Sequence, residues 1–189
     1  MADIIDDLYR DHVKLRQLLA AMERQIELFE KGEHPDYELI QAVVDYCLTY
    51  PDVCHHPKED AVYRHLAQVP GWQRPLHDLE AEHAALATLT HRVAETIERV
   101  LKEEQMTREA VITAAREFLE RYHHHIDMED EYFLPQARDL LSAEDLAEAE
   151  AEVEEAEDPL TQGRVEARFA RLAREILEWD ADARRGAGA

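Results

Sequence analysis

Two stretches of this chain carry the same pair at the same spacing: His55 with Glu59, and His125 with Glu129. On an α-helix, residues four apart stack on one face one turn apart, so an imidazole and a carboxylate in this register point at the same place. Each pair also has a histidine far upstream, His12 lying 43 residues before His55 and His83 lying 42 before His125. Sliding the chain on itself by 71 residues lays Asp11 on Glu82, His12 on His83, Leu15 on Leu86, Leu18 on Leu89, Met22 on Val93 and Ile26 on Ile97. Matched apolar positions at helical spacing make the first and third helices copies, as the second and fourth are. Such a chain is restricted to helices packed side by side, with their histidines and glutamates meeting inside.

Helix one is predicted over residues 3–31, ending at Gly32. At about 100° per residue, Ile5, Leu8, His12, Leu15, Leu19, Met22 and Ile26 share one arc, so His12 points into the core. Helix two is expected over residues 36–68, interrupted by Pro51 and Pro57, with a kink or restart around His55. Its inward face carries Val44, Leu48, His55, Glu59, Val62 and Leu66. Helix three is expected over residues 76–104 with Leu79, His83, Leu86, Thr90, Val93 and Ile97 inward. Helix four begins after the N-cap Thr107 and ends between residues 135 and 138, with Val111, Ala114, Phe118, Tyr122, His125, Glu129, Tyr132 and Phe133 inward.

The rest of the chain is expected to form an extension. Residues 1–140 read as the bundle and residues 141–189 as an acidic helical addition packed on it. Ser142 and Asp145 make a capping box, and the acidic run behind them reads as a solvated helix face. A last segment over residues 165–179 places Val165, Phe169, Leu172, Ile176 and Trp179 on one stripe, fit to pack on the bundle or on a second copy in a homodimer. The final ten residues read as frayed.

A formal charge of −22, from 43 acidic and 21 basic residues, argues against nucleic acid and anionic lipid surfaces as partners. No run approaches the roughly 18 apolar residues of a membrane span, and the acidic N-terminus is unlike a secretory leader, so a cytoplasmic location is expected. Cys47 and Cys54 lie about 10 Å apart along one helix, too far to join, so thiols are expected. Cys54 reads as a small buried apolar group.

Eleven histidines have to be sorted. His12, His55, His83 and His125 face the core and obey the repeat. His34 falls in a turn, His77 precedes the repeated face, His65 and His91 take outer or flanking positions, and His123 and His124 point away from His125. His56, beside His55 at the edge of the arc, is either an extra ligand or gate, or a supporting group. A rival Glu-x-x-His pattern, Glu80 with His83 and Glu120 with His123, fails because Glu120 and His123 leave the apolar face. Buried imidazoles and carboxylates are costly unless partnered, and one metal site partners them all. Four imidazoles and two carboxylates suit a first-row transition metal over calcium, magnesium or structural zinc. Two irons bridged by Glu59 and Glu129 fit the count.

The ordered set of His12, His55-His56-Pro57-Lys58-Glu59-Asp60, Glu82-His83 and His125 to Glu129-Asp130 ahead of Tyr132-Phe133-Leu134-Pro135 resembles the hemerythrin-like, or HHE cation-binding, family. The resemblance spans roughly the first 140 residues. It implies an all-α fold, an antiparallel up-down four-helix bundle with additional C-terminal helices here. It also implies two non-haem iron ions with an oxo or hydroxo bridge, held by His12, His55, Glu59, His83, His125 and Glu129. Ala87 stands where oxygen carriers of the family have a further histidine, so the chain looks closer to the bacterial proteins of nitric oxide, peroxide and iron-sulfur stress. The cysteine-bearing N-terminal domain of the repair proteins has no room before His12. The implied function is binding or reaction of dioxygen, peroxide or nitric oxide, with Tyr122 and His56 in proton or electron roles. A carrier, sensor or iron-holding module is the alternative.

Overall fold

The computed structural model describes residues 3–72, 79–156 and 164–187. Among these residues the protein is entirely helical, with no strand. α1 spans Ile4–Glu30, α2 Tyr37–Tyr50, α3 His56–Leu66, α4 Leu79–Leu101, α5 Arg108–Met128, α6 Leu134–Leu140, α7 Ala143–Ala156 and α8 Arg164–Ala187. α1 packs along α2 and α5, and α4 packs along α2 and α5 in turn. The starts follow from side chains that satisfy orphan amides: Asp3, Asp36 and Thr107 accept from the backbone N–H of Asp6, Leu39 and Ala110. Gly32, with φ at +90°, ends α1 in the left-handed conformation a side chain would resist.

Two π-helical turns interrupt the rods, Pro51–His55 between α2 and α3, and Glu129–Phe133 between α5 and α6. Both end two residues before a proline. The N–H of His56, ahead of Pro57, donates to the Pro51 carbonyl, and that of Leu134, ahead of Pro135, donates to the Glu129 carbonyl. A proline ring within a regular helix would collide with the carbonyl four residues back, and a widened turn moves that carbonyl aside. The interruption expected near His55 is therefore a wide turn and not a break.

The second π turn was not foreseen, and it corrects two expectations. The rod continues through α6 to Leu140, and Tyr132 is 55% exposed instead of inward. Extra residues in the wide turn shift the phase, so Phe133 takes the buried place. The other inward residues of α1 and α5 are buried as expected, while Leu48 is half-buried.

α7 lies on α3 and α1, and α8 lies on α2 and α1. Leu141, Leu146 and Ala149 join the core cluster of Ile4, Ile5, Leu8, Val62 and Phe133. Phe169, Ala173 and Ile176 join that of Tyr46, Tyr50 and Met22. The frayed tail is corrected: α8 reaches Ala187, because Asp180 is buried and paired with Arg24 of α1 at 2.5 and 3.2 Å and with Arg184 at 3.1 Å. Trp179 leaves the apolar stripe and is 36% exposed. Ser142 and Asp145 cap α7 reciprocally. No helix among the described residues is long and apolar enough to cross a membrane.

Candidate metal centre

Six side chains from separate helical segments converge. His12 comes from α1, His55 from the end of the first π turn, Glu59 from α3, His83 from α4, His125 from α5 and Glu129 from the start of the second π turn. Glu59 and Glu129 are fully buried, and His12, His55 and His125 nearly so. The Nε2 atoms of His12 and His55 face each other at 3.1 Å. Glu59 turns Oε1 towards His55 Nε2 at 3.1 Å and His12 Nε2 at 3.8 Å, and Oε2 towards His83 Nε2 at 3.3 Å. Glu129 turns Oε2 towards His12 Nε2 at 3.3 Å, and Oε1 towards His125 Nε2 at 3.2 Å and His83 Nε2 at 3.6 Å.

These approaches are close but are not hydrogen bonds: both oxygens of Glu59 and of Glu129, and His83 Nε2, are buried without a hydrogen-bond partner. Leaving such groups unsatisfied costs more than any packing gain they bring, so the donor set fits a cation at their centre. His12, His55, Glu59 and Glu129 form one group whose ligand atoms lie within 4.8 Å of one another, and His56, His83 and His125 form a second.

Residues 3–137 match the family model of the Hemerythrin HHE cation binding domain, well over half of the chain. The chain belongs to the hemerythrin HHE family. No curated protein and no solved structure matches it. A hemerythrin HHE domain binds metal, and the buried His/Glu cluster fits that property.

The charges of the cluster balance in a way that anticipates a cation. Burial works against charge on His12, yet Asp130, Glu129 and Glu59 outweigh it and hold its pKa at about 11. His83 is raised to about 10 and His55 to about 9, again against burial, by the same glutamates and, for His55, by Asp11. Glu59 and Glu129 stay below the usual carboxylate range despite complete burial, because the imidazoles around them favour the anion. Without metal, protons on the imidazoles stand in for the cation.

Beyond the cluster, two aspartates matter that the sequence reading did not single out. Asp130 accepts from His12 Nδ1 at 2.6 Å and from Arg16 at 2.7 Å, which fixes the His12 ring with Nε2 inward. Asp11, buried, lies 3.6 Å from His55 Nδ1. Their positions next to His12 and Glu129 were the available signal, since a ligand's neighbour along the chain can reach a ligand on another helix.

The remaining histidines divide plainly. His34, His91 and His124 are exposed and His123 half-buried, while His77 and the Glu80 side chain lie outside the described residues. His65 is a correction: it is buried under α7, where Nε2 meets Glu152 at 3.0 Å. The acidic run contributes that partner, so its face is not wholly solvated. Cys47 and Cys54 are buried and not joined. Tyr122 is buried, its ring centroid 6.5 Å from that of His125, and its hydroxyl lies near the Cys47 thiol. Burial pushes the Tyr122 phenol well above its ordinary pKa and the Cys47 thiol up to about 12, so both keep their protons. Both line a cavity of about 20 Å³ bordered by His56, His83, Ala87 and Thr90. That space holds about one water-sized molecule.

Proposed function

We propose that this protein is a non-haem di-iron protein that binds and reacts with a small ligand, dioxygen, peroxide or nitric oxide, in a cytoplasmic stress response. His12, His55, Glu59, His83, His125 and Glu129 hold the two ions. The frame is an antiparallel up-down bundle of four rods, α1, α2 with α3, α4, and α5 with α6, and α7 and α8 are additions to it. The observation that carries this reading is the division of the two carboxylates. Each glutamate offers one oxygen to His12, and to His55 in the case of Glu59, and the other oxygen to the side of His83 and His125. Each side then has two nitrogens and two oxygens, a mixed donor set that suits first-row metals.

When bound, the iron pair supplies open coordination positions and electrons to a small ligand. The chain's own residues do the rest. Asp130 keeps the proton of His12 on Nδ1, so that Nε2 stays a donor to the metal. The narrow cavity beside His83 has room for one small molecule. Tyr122, protonated at its wall, is the nearby phenol that can steady a ligand or pass it a proton.

Elemental analysis should find about two irons per chain, and His55→Ala or His125→Ala should lower that content. Full iron retention in both variants removes the site. Mixing the diferrous protein with oxygen, then applying vacuum, separates the activities. Consumption of oxygen or added peroxide supports reaction, whereas complete recovery of the starting spectrum over repeated cycles gives a carrier or sensor instead.

A further inference from the structure

We infer that His56 is a further metal ligand, the third imidazole on the ion held by His83 and His125. This rests on the two-ion reading above. The ring of His56 lies flat on that of His83, with centroids 3.8 Å apart and planes 15° apart, and meets the edge of the His125 ring at 6.5 Å. Ligand atoms of these three histidines fall within 4.8 Å of one another, so His56 is a full member of its group.

Packing alone does not ask for an imidazole at this position. The repeat places Ile126 opposite His56, and Ile126 is a buried aliphatic. His56 instead borders the small cavity, next to Ala87, whose short side chain leaves it room. Its ring is also oriented as a ligand's is. Nδ1 lies 3.1 Å from Asp52 Oδ1, one turn back, so an Nδ1–H donated to Asp52 leaves the Nε2 lone pair for a cation. Asp130 does the same for His12 on the opposite side of the cluster. The first π turn makes the placement possible, since its closing bond runs from the His56 N–H and sets where α3 begins. The two ions are then unequal, one with three imidazoles and one with two.

Anaerobic titration with ferrous iron tests this on the full chain, comparing wild type with His56→Ala, His56→Gln and Asp52→Asn. Wild type should show two sites. Both His56 variants should weaken one of them by roughly ten-fold or more and leave the other unchanged, and Asp52→Asn should weaken the same site less. Added imidazole should restore the site in His56→Ala, which a role in packing would not allow. Two unchanged sites in the His56 variants, or equal weakening of both without imidazole rescue, overturns the proposal and leaves the two-ion reading standing. Fewer than two sites in wild type overturns the two-ion reading itself. Matching circular dichroism of the metal-free proteins ensures that folded chains are compared.

Discussion

The two halves of the bundle carry the same His-x-x-x-Glu pair but reach it differently. In the first half the π turn ends at His55, ahead of the pair; in the second it starts at Glu129, where the pair ends. The prolines decide this, because Pro57 follows His55 by two residues and Pro135 follows His125 by ten. Four residues after His12 stands Arg16, which ties down Asp130, whereas four after His83 stands Ala87, which borders the cavity. One side of the cluster is thereby closed by charge and the other left open. A repeat that preserves its ligands has diverged where access is set.

Removing the metal should have the largest effect on both halves. Chelation should lower the melting temperature by roughly 10–20 °C if the site holds the two ions proposed, since each at saturating concentration contributes about 3 kcal/mol and each kcal/mol moves a chain of this size by about 2–4 °C. The gap should depend on pH. In the metal-free protein His55, His83 and His12 have pKa values raised to about 9, 10 and 11, so their favourable contacts are complete below about pH 6.5 and are lost as pH rises through those values. Glu59 and Glu129, with lowered pKa values, lose theirs in acid. Bound iron replaces the protons, so calorimetry should show the gap widening from pH 6.5 to pH 9. A gap constant over that range would mean that the imidazoles are not charged without metal.

The asymmetry of access can be broken from either side. Ala87→Leu should fill the small cavity and slow ligand binding by roughly ten-fold or more in stopped-flow measurements on iron-loaded protein, at an overpacking cost of about 1–3 kcal/mol. Arg16→Ala should leave the ligand rate intact and weaken iron binding by about ten-fold, because Asp130 loses the group that steadies it against His12. Equal effects of the two variants on ligand rate would erase the difference between the sides.

The prolines give the smallest effect. Pro57→Ala lets the first turn tighten beside His55 and His56 and should lower iron affinity by a few-fold, whereas Pro135→Ala, downstream of both ligands of its half, should change it less. An iron titration of the two variants that came out in the reverse order would mean that the position of the π turn does not set the site.

Much of this was legible in the chain, for identifiable reasons. His12 and His83 could be placed by counting 100° steps, because α1 and α4 are regular through them. Tyr132 could not, because it sits inside a wide turn where the count no longer applies. His65 and Trp179 were misplaced because which face of α3 lies under α7, and which edge of α8 meets α1, are set by packing between distant segments. The helical tail hinged on the ion pair of Arg24 with the buried Asp180, between residues 156 positions apart. Asp130 escaped because its partner, His12, is on another helix, and spacing along one helix carries no trace of such a bond.

The family match stops at residue 137, yet the buried core does not. Phe169 of α8 packs its edge against Tyr46 and Tyr50, and the Tyr50 ring lies over His55. A shortened version ending at the kinship boundary would retain every ligand and still lose the wall behind one of them. It would also bare Tyr46 and Tyr50 to water and offer a sticky apolar face to its neighbours. Kinship and foldability draw different borders on this chain, and looseness in a helix that carries no ligand would reach the metal as looseness of an imidazole.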